Sequence, residues 1–188
     1  GANVIAEKPL VLDPRNLDPA TRYLIASTSQ ALREAGLRIH GALRDRTGHL
    51  VGTTQVSPAT VIAYLTSFRD RGLPGVSAAA FSRMVPNAPT GACASALSFR
   101  GPSSTLALDA DAGLAAVVYA AEWLSRREDT EVLVASGVDE LPPDAATVLP
   151  AAAPAELFLD PGSAEGAASL VLAHAETEHQ LAADDAGD

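Results

Sequence analysis

Two carboxylates, Asp109 and Asp111, stand on either side of Ala110, where the apolar run SSTLALD meets the helix-patterned DAGLAAVVYAAEWLSRRED. Acids at a helix start have an ordinary use. Negative charge there is favoured by about 0.3–1 kcal/mol, and a carboxylate can cap the free amides of the first turn. They could instead do chemistry, with one carboxylate acting as a general base. Capping is the expectation, because no neighbouring polar residue is in place to orient or assist either acid.

The other reactive types are sparse. Cys93 is the sole cysteine, which excludes an internal disulfide and a four-thiolate zinc site. In GACASAL, among alanines and away from basic residues, it reads as a small buried hydrophobe. His40, His49, His174 and His179 lack the tight spacing and carboxylate company of a metal centre and are expected to be exposed or capping. Neither a Walker phosphate loop nor a dinucleotide glycine fingerprint occurs. No metal and no cofactor is therefore expected.

Composition narrows the partners. A formal charge of -10 gives no electrostatic grip on nucleic acid or on an anionic membrane surface, so neither is expected as a partner. The longest apolar run, Ala112 to Ala121, falls short of the roughly 20 residues that cross a bilayer. GANVIAEKPLVLD has no signal-peptide pattern, and with one cysteine a reducing, cytoplasmic location is expected. Because the sequence opens on Gly1 rather than methionine, a trimmed N terminus is expected.

At 188 residues and 47% hydrophobic, the chain suits one globular domain over 1–188, with an acidic tail at 184–188. LDPATRYLIASTSQALREAG predicts a helix capped by Asp18, with Pro19 at its first position, Leu24, Ile25, Ala31, Leu32 and Ala35 on one face, and Gly36 as its stop. HLVGTT predicts a strand. SPATVIAYLTSFRDRG repeats the helix grammar, with Ser57 as cap, Pro58 at the first position and Gly72 as stop. A helix interrupted at Pro86 and Pro89 follows, resuming from Thr90 to Leu97. SSTLALD, the helix after it, and EVLVASG form a βαβ unit whose apolar strands suit a sheet covered on both faces. PPDAATVLPAAAPAEL allows a short helix, and GAASLVLAHAE predicts a last strand. The fold class is α/β.

This order of elements resembles the N-terminal half of the β-ketoacyl synthase (ketosynthase) family, which has the thiolase fold. Asn87, Gly91 and the Gly101–Pro102 pair follow the family pattern leading into its nucleophile strand. LDPATRYLIASTSQALREAGL looks like the family's early helix and LVGTT like the strand after it. VLVASGVDE is similar to its Gly-Gly-Ala-Glu strand end, with Ser136 in place of the first glycine, and FLDPGSAEGAASLVLA to the segment entering the last strand of that half. The resemblance covers residues 10 to 185. It implies a three-layer half-fold with a mixed, mostly parallel sheet and helices on both faces.

The departures set the functional expectation. Counted from Gly101–Pro102, the family's cysteine falls on Ala110, whose methyl group cannot attack a thioester. Cys93 lies on the preceding helix and cannot stand in. The family's C-terminal half, with its two histidines, and its opening strand have no match here, and His174 and His179 fit neither histidine. The resemblance thus implies a ketosynthase-like pseudoenzyme inactive in condensation on its own: a non-catalytic accessory or partner subunit in polyketide or fatty-acid-type biosynthesis. It also implies a homodimer or heterodimer with a ketosynthase-type chain, paired through Thr105, Leu106, Ala107, Leu108 and Asp109. Two alternatives stay open. One is altered chemistry, hydrolysis or dehydration, on acyl thioesters in a pocket at Asp109, Ala110 and Asp111, with one carboxylate as the base; the other is a docking module for an acidic acyl carrier protein, held by Arg69, Arg71 and Arg83 or by Arg38, Arg44 and Arg46.

Overall fold

The computed structural model describes residues 17–76, 78–140 and 166–173. Five helices, α1 (Pro19–Glu34), α2 (Pro58–Arg71), α3 (Ala78–Met84), α4 (Ala88–Leu97) and α5 (Ala112–Arg126), accompany four strands, β1 (Thr47–Thr53), β2 (Ser103–Ala107), β3 (Val132–Asp139) and β4 (Gly166–Ala173). The sheet order is β2-β1-β3-β4. β1 runs parallel to both β2 and β3, and β4 closes the sheet antiparallel to β3 with Ser136 opposite Ser169. The sheet is mixed, mostly parallel, and carries helices on both faces, as expected.

Side-chain alternation along β1 and β3 divides the core. Leu50, Leu133 and Ala135 meet Ala116, Ala120 and Leu124 of α5. Val51 and Val138 face the opposite way, onto Ala20 and Leu24 of α1 and Cys93 of α4, while Val134 packs with Leu32 and Phe99.

Local signals read from sequence formed where the chemistry is local. Asp18 caps α1, its carboxylate accepting from the Thr21 amide at 2.9 Å. Gly36, at φ +68°, ends the helix in a Schellman motif, with the Leu37 amide on the Leu32 carbonyl at 2.9 Å. The buried face of α1 differs from expectation: Ala20, Thr21, Leu24, Thr28 and Leu32 are covered and Ala35 is exposed. The face is turned toward the threonines because hydroxyl partners await Thr28 in the core. Ser57 precedes α2 without capping it; its hydroxyl donates to Asp18 at 3.0 Å instead. Pro89 does not interrupt a helix but sits in the first turn of α4, where its missing N–H costs nothing.

The βαβ unit is present, its strands β2 and β3 parallel with β1 lying between them. Among the described residues β2 is an edge strand, with three of its five residues exposed, not a strand covered on both faces. The short helix suggested in PPDAATVLPAAAPAEL, the opening and tail segments, His174 and His179 lie outside the described residues.

Candidate functional site

The β2–α5 junction is fixed from beneath. Beyond the end of β2, the Leu108 amide bonds the Thr53 carbonyl at 3.0 Å, and the Ala112 amide bonds the Asp109 carbonyl at 2.9 Å. The first turn of α5 lies directly on β1: a Cβ at Gly52 would overlap the Ala112 carbonyl, so only glycine permits this approach. Of the segment Thr105 to Asp109, β2 contains Thr105, Leu106 and Ala107; Leu108 and Asp109 follow its end. Thr105 is tied to α4 by a hydroxyl bond to Thr90 at 2.7 Å.

Asp109, Ala110 and Asp111 come together at this turn, all three exposed. The expected capping is not made. Asp111 occupies the cap position of α5, but its side chain accepts no helix amide. The cause is its backbone, at φ -86° and ψ 8° rather than in the extended region from which a cap side chain reaches the first-turn amides. The Asp111 carbonyl does bond the Ala115 amide, at 2.8 Å.

Two clefts lie nearby, and neither is lined by these three residues. One, of about 480 Å³, is walled by Thr53, Gln55, Ile62, Met84 and Pro86 and reaches Ala107. The other, of about 590 Å³, lies between α1, α2 and α3, where Arg71 and Arg83 share a lining with Tyr64 and Glu140. Arg69 pairs with Asp70 at 2.8 Å, and Arg46 pairs with Glu131. Of the two arginine triads, Arg71 and Arg83 meet at this cleft, which they share with Glu140.

Asp139 closes the loop after β1. Its carboxylate accepts from the Thr53 hydroxyl at 2.8 Å and from the amides of Thr54, Gln55 and Val56 at 2.9, 3.0 and 3.2 Å. Burial raises its pKa, yet the amide and hydroxyl donors of Gln55 and Thr54 outweigh that and hold it below the usual carboxylate range.

His49 is a residue that sequence reasoning misplaced. It is fully buried on β1, neither exposed nor capping. Its Nε2 lies 2.9 Å from the Ser136 hydroxyl, which meets Ser169 at 2.8 Å; Ser169 in turn meets Ser27 at 2.9 Å and Thr28 at 3.2 Å. Burial pushes the imidazole down to about 4, so it is neutral near pH 7. The available signal was its position between Thr47 and Val51 in a continuously buried strand. Cys93 is buried as expected; burial pushes its thiol up to about 12, against the pull of the Thr28 hydroxyl. Among the described residues no group of three or more His, Cys, Asp or Glu is arranged to hold a metal. No described helix is long and apolar enough to cross a membrane.

The comparisons with known proteins agree with this architecture. The family model of the beta-ketoacyl synthase N-terminal domain matches residues 11–155. No curated protein matches the chain. A solved type II PKS acyl-carrier protein in complex with its ketosynthase is similar at a TM-score of 0.74 and 21% identity, over 90% of this chain and 52% of that one. The ishigamide ketosynthase/chain length factor follows at 0.67 and 21%, over 86% and 45%. A beta-ketoacyl synthase from Burkholderia phymatum gives 0.69 and 20%, over 90% and 45%. The chain thus spans about half the length of these solved chains, and at such identities they establish its fold. With the strand order, the glycine-bedded junction and the matched residues together, the chain belongs to the β-ketoacyl synthase family, within its N-terminal domain.

Proposed function

We propose that the chain serves as a non-catalytic partner of an active ketosynthase in polyketide or fatty-acid-type biosynthesis, in the cytoplasm. The observation that carries this reading is Ala110: the strand–helix junction is kept, and a methyl group stands where the count from Gly101–Pro102 puts the family's attacking thiol. The exposed edge of β2 supports it, offering Thr105 to Ala107 for antiparallel pairing with a ketosynthase-type chain. So do the solved neighbours in which a ketosynthase is paired with a chain length factor.

Light scattering on the purified chain, alone and mixed with a ketosynthase and a carrier protein, tests the reading. A defined complex with the ketosynthase is expected, unchanged by Asp109→Ala or Asp111→Ala. A chain that stays monomeric in every mixture removes it. A homodimer that ignores both partners and turns over an acyl thioester, with the turnover lost in those two variants, replaces it with the altered-chemistry reading.

A further inference from the structure

Three successive amides, those of Thr54, Gln55 and Val56, point at a single carboxylate, Asp139. Such a run of backbone N–H groups is a nest, a concavity that favours an anion. The nest is closed on itself, because the Val56 amide also bonds the Thr53 hydroxyl at 2.8 Å, and both threonine hydroxyls donate to Asp139. Its geometry is not one the residues adopt by preference: Val56 is β-branched and buried, yet sits at φ +61°. A side chain of that shape persists in the left-handed region only where its surroundings over-determine it. The loop is also mechanically joined to the junction. Thr53 gives its hydroxyl to Asp139 and its carbonyl to the Leu108 amide, the first bond after β2 ends.

We infer that Asp139 is a positioning residue: the chain's own carboxylate fills an anion nest at Thr54–Val56 and, through Thr53, fixes where the β2–α5 junction begins. Two hydrogen bonds link the carboxylate to a turn that is distant in sequence. The wall of the cleft at Thr53 and Gln55 is set by the same contact. This role is independent of the partner-subunit reading, since it concerns what holds the junction and not what the junction binds.

Asp139→Asn tests it on the full chain, because the amide keeps the shape while turning one acceptor oxygen into donors that face other donors. By residue-resolved amide exchange, Thr54, Gln55, Val56 and Leu108 are expected to exchange about tenfold faster or more, while Leu133 and Val134 keep their rates. A Leu108 amide protected as in the wild type overturns the link to the junction. A uniform rise at every amide also overturns it, since that is the mark of global destabilisation alone. Asp139→Ala adds a second readout: formate, a small carboxylate, is expected to restore protection at those four amides where equal chloride does not. Equal effects of formate and chloride on the folded variant would exclude a nest that takes a carboxylate.

Discussion

Against one face of the sheet pack α1 and α4, whose side chains interlock with Val51, Val134 and Val138 and enclose a chain of hydroxyls from His49 to Thr28. Against the other, among the described residues, lies α5, and its outer side is apolar: Leu114, Val118 and Tyr119 are 65, 57 and 54% exposed. Both faces meet the sheet through buried residues, so the difference is not in how well the helices dock. It lies on the helices' outer sides. On α1 the exposed positions include Arg22, Gln30, Arg33 and Glu34, whereas α5 presents a second apolar stripe at helical spacing. Contiguous apolar surface of this kind marks an interface. The outer side of α1 suits solvent, and that of α5 suits a neighbour.

Substitutions that separate the two sides should differ most in stability. Leu24→Ala, beneath α1, is expected to cost about 2–5 kcal/mol by chemical denaturation, as buried leucine truncations do. A loss below about 1 kcal/mol would mean that this face packs loosely.

Acid should reach the same side through His49. Its folded value of about 4 lies below the ordinary 6.5, so the neutral ring's contribution is complete above pH 6.5 and is lost as pH falls toward 4, a change of about 3 kcal/mol. Asp139, also depressed, adds to the loss as pH falls further. Denaturation midpoints measured through this window should fall in the wild type and much less in His49→Asn. Parallel curves would show that the ring is not buried as a neutral group.

The smallest effect belongs to the α5 stripe. Leu114→Ser is expected to change the stability of the isolated chain by no more than about 0.5 kcal/mol while weakening association with whatever covers α5. A large loss in the isolated chain would erase the distinction between the faces.

How far the sequence could be read depends on the range of each interaction. Asp18, Pro19 and Gly36 announced α1 because a cap and a stop act within one turn, and the apolar run of β3 announced a covered strand. The insertion of β1 between β2 and β3 was not legible, since strand pairing joins residues far apart in sequence. The same distance hid His49, whose partner Ser136 lies 87 positions away. Ser57 and Asp111 had cap-forming chemistry, but one hydroxyl was recruited by Asp18 and the other residue's backbone turned its carboxylate aside. At the candidate site, the junction and the family were legible; the Asp139 nest was not, because its donors are mostly main-chain amides whose convergence depends on an unusual turn at Val56.

The open edge of β2 carries a further consequence for how the protein stays dispersed. Natural sheet edges are guarded by charges, prolines or bulges that stop strands from stacking indiscriminately. Ser103–Ala107 has no charged residue and no proline, and among the described residues nothing pairs with its outer side. A chain whose edge stays uncovered is therefore expected to string together edge to edge into aggregates, and covering that edge is expected to keep it dispersed.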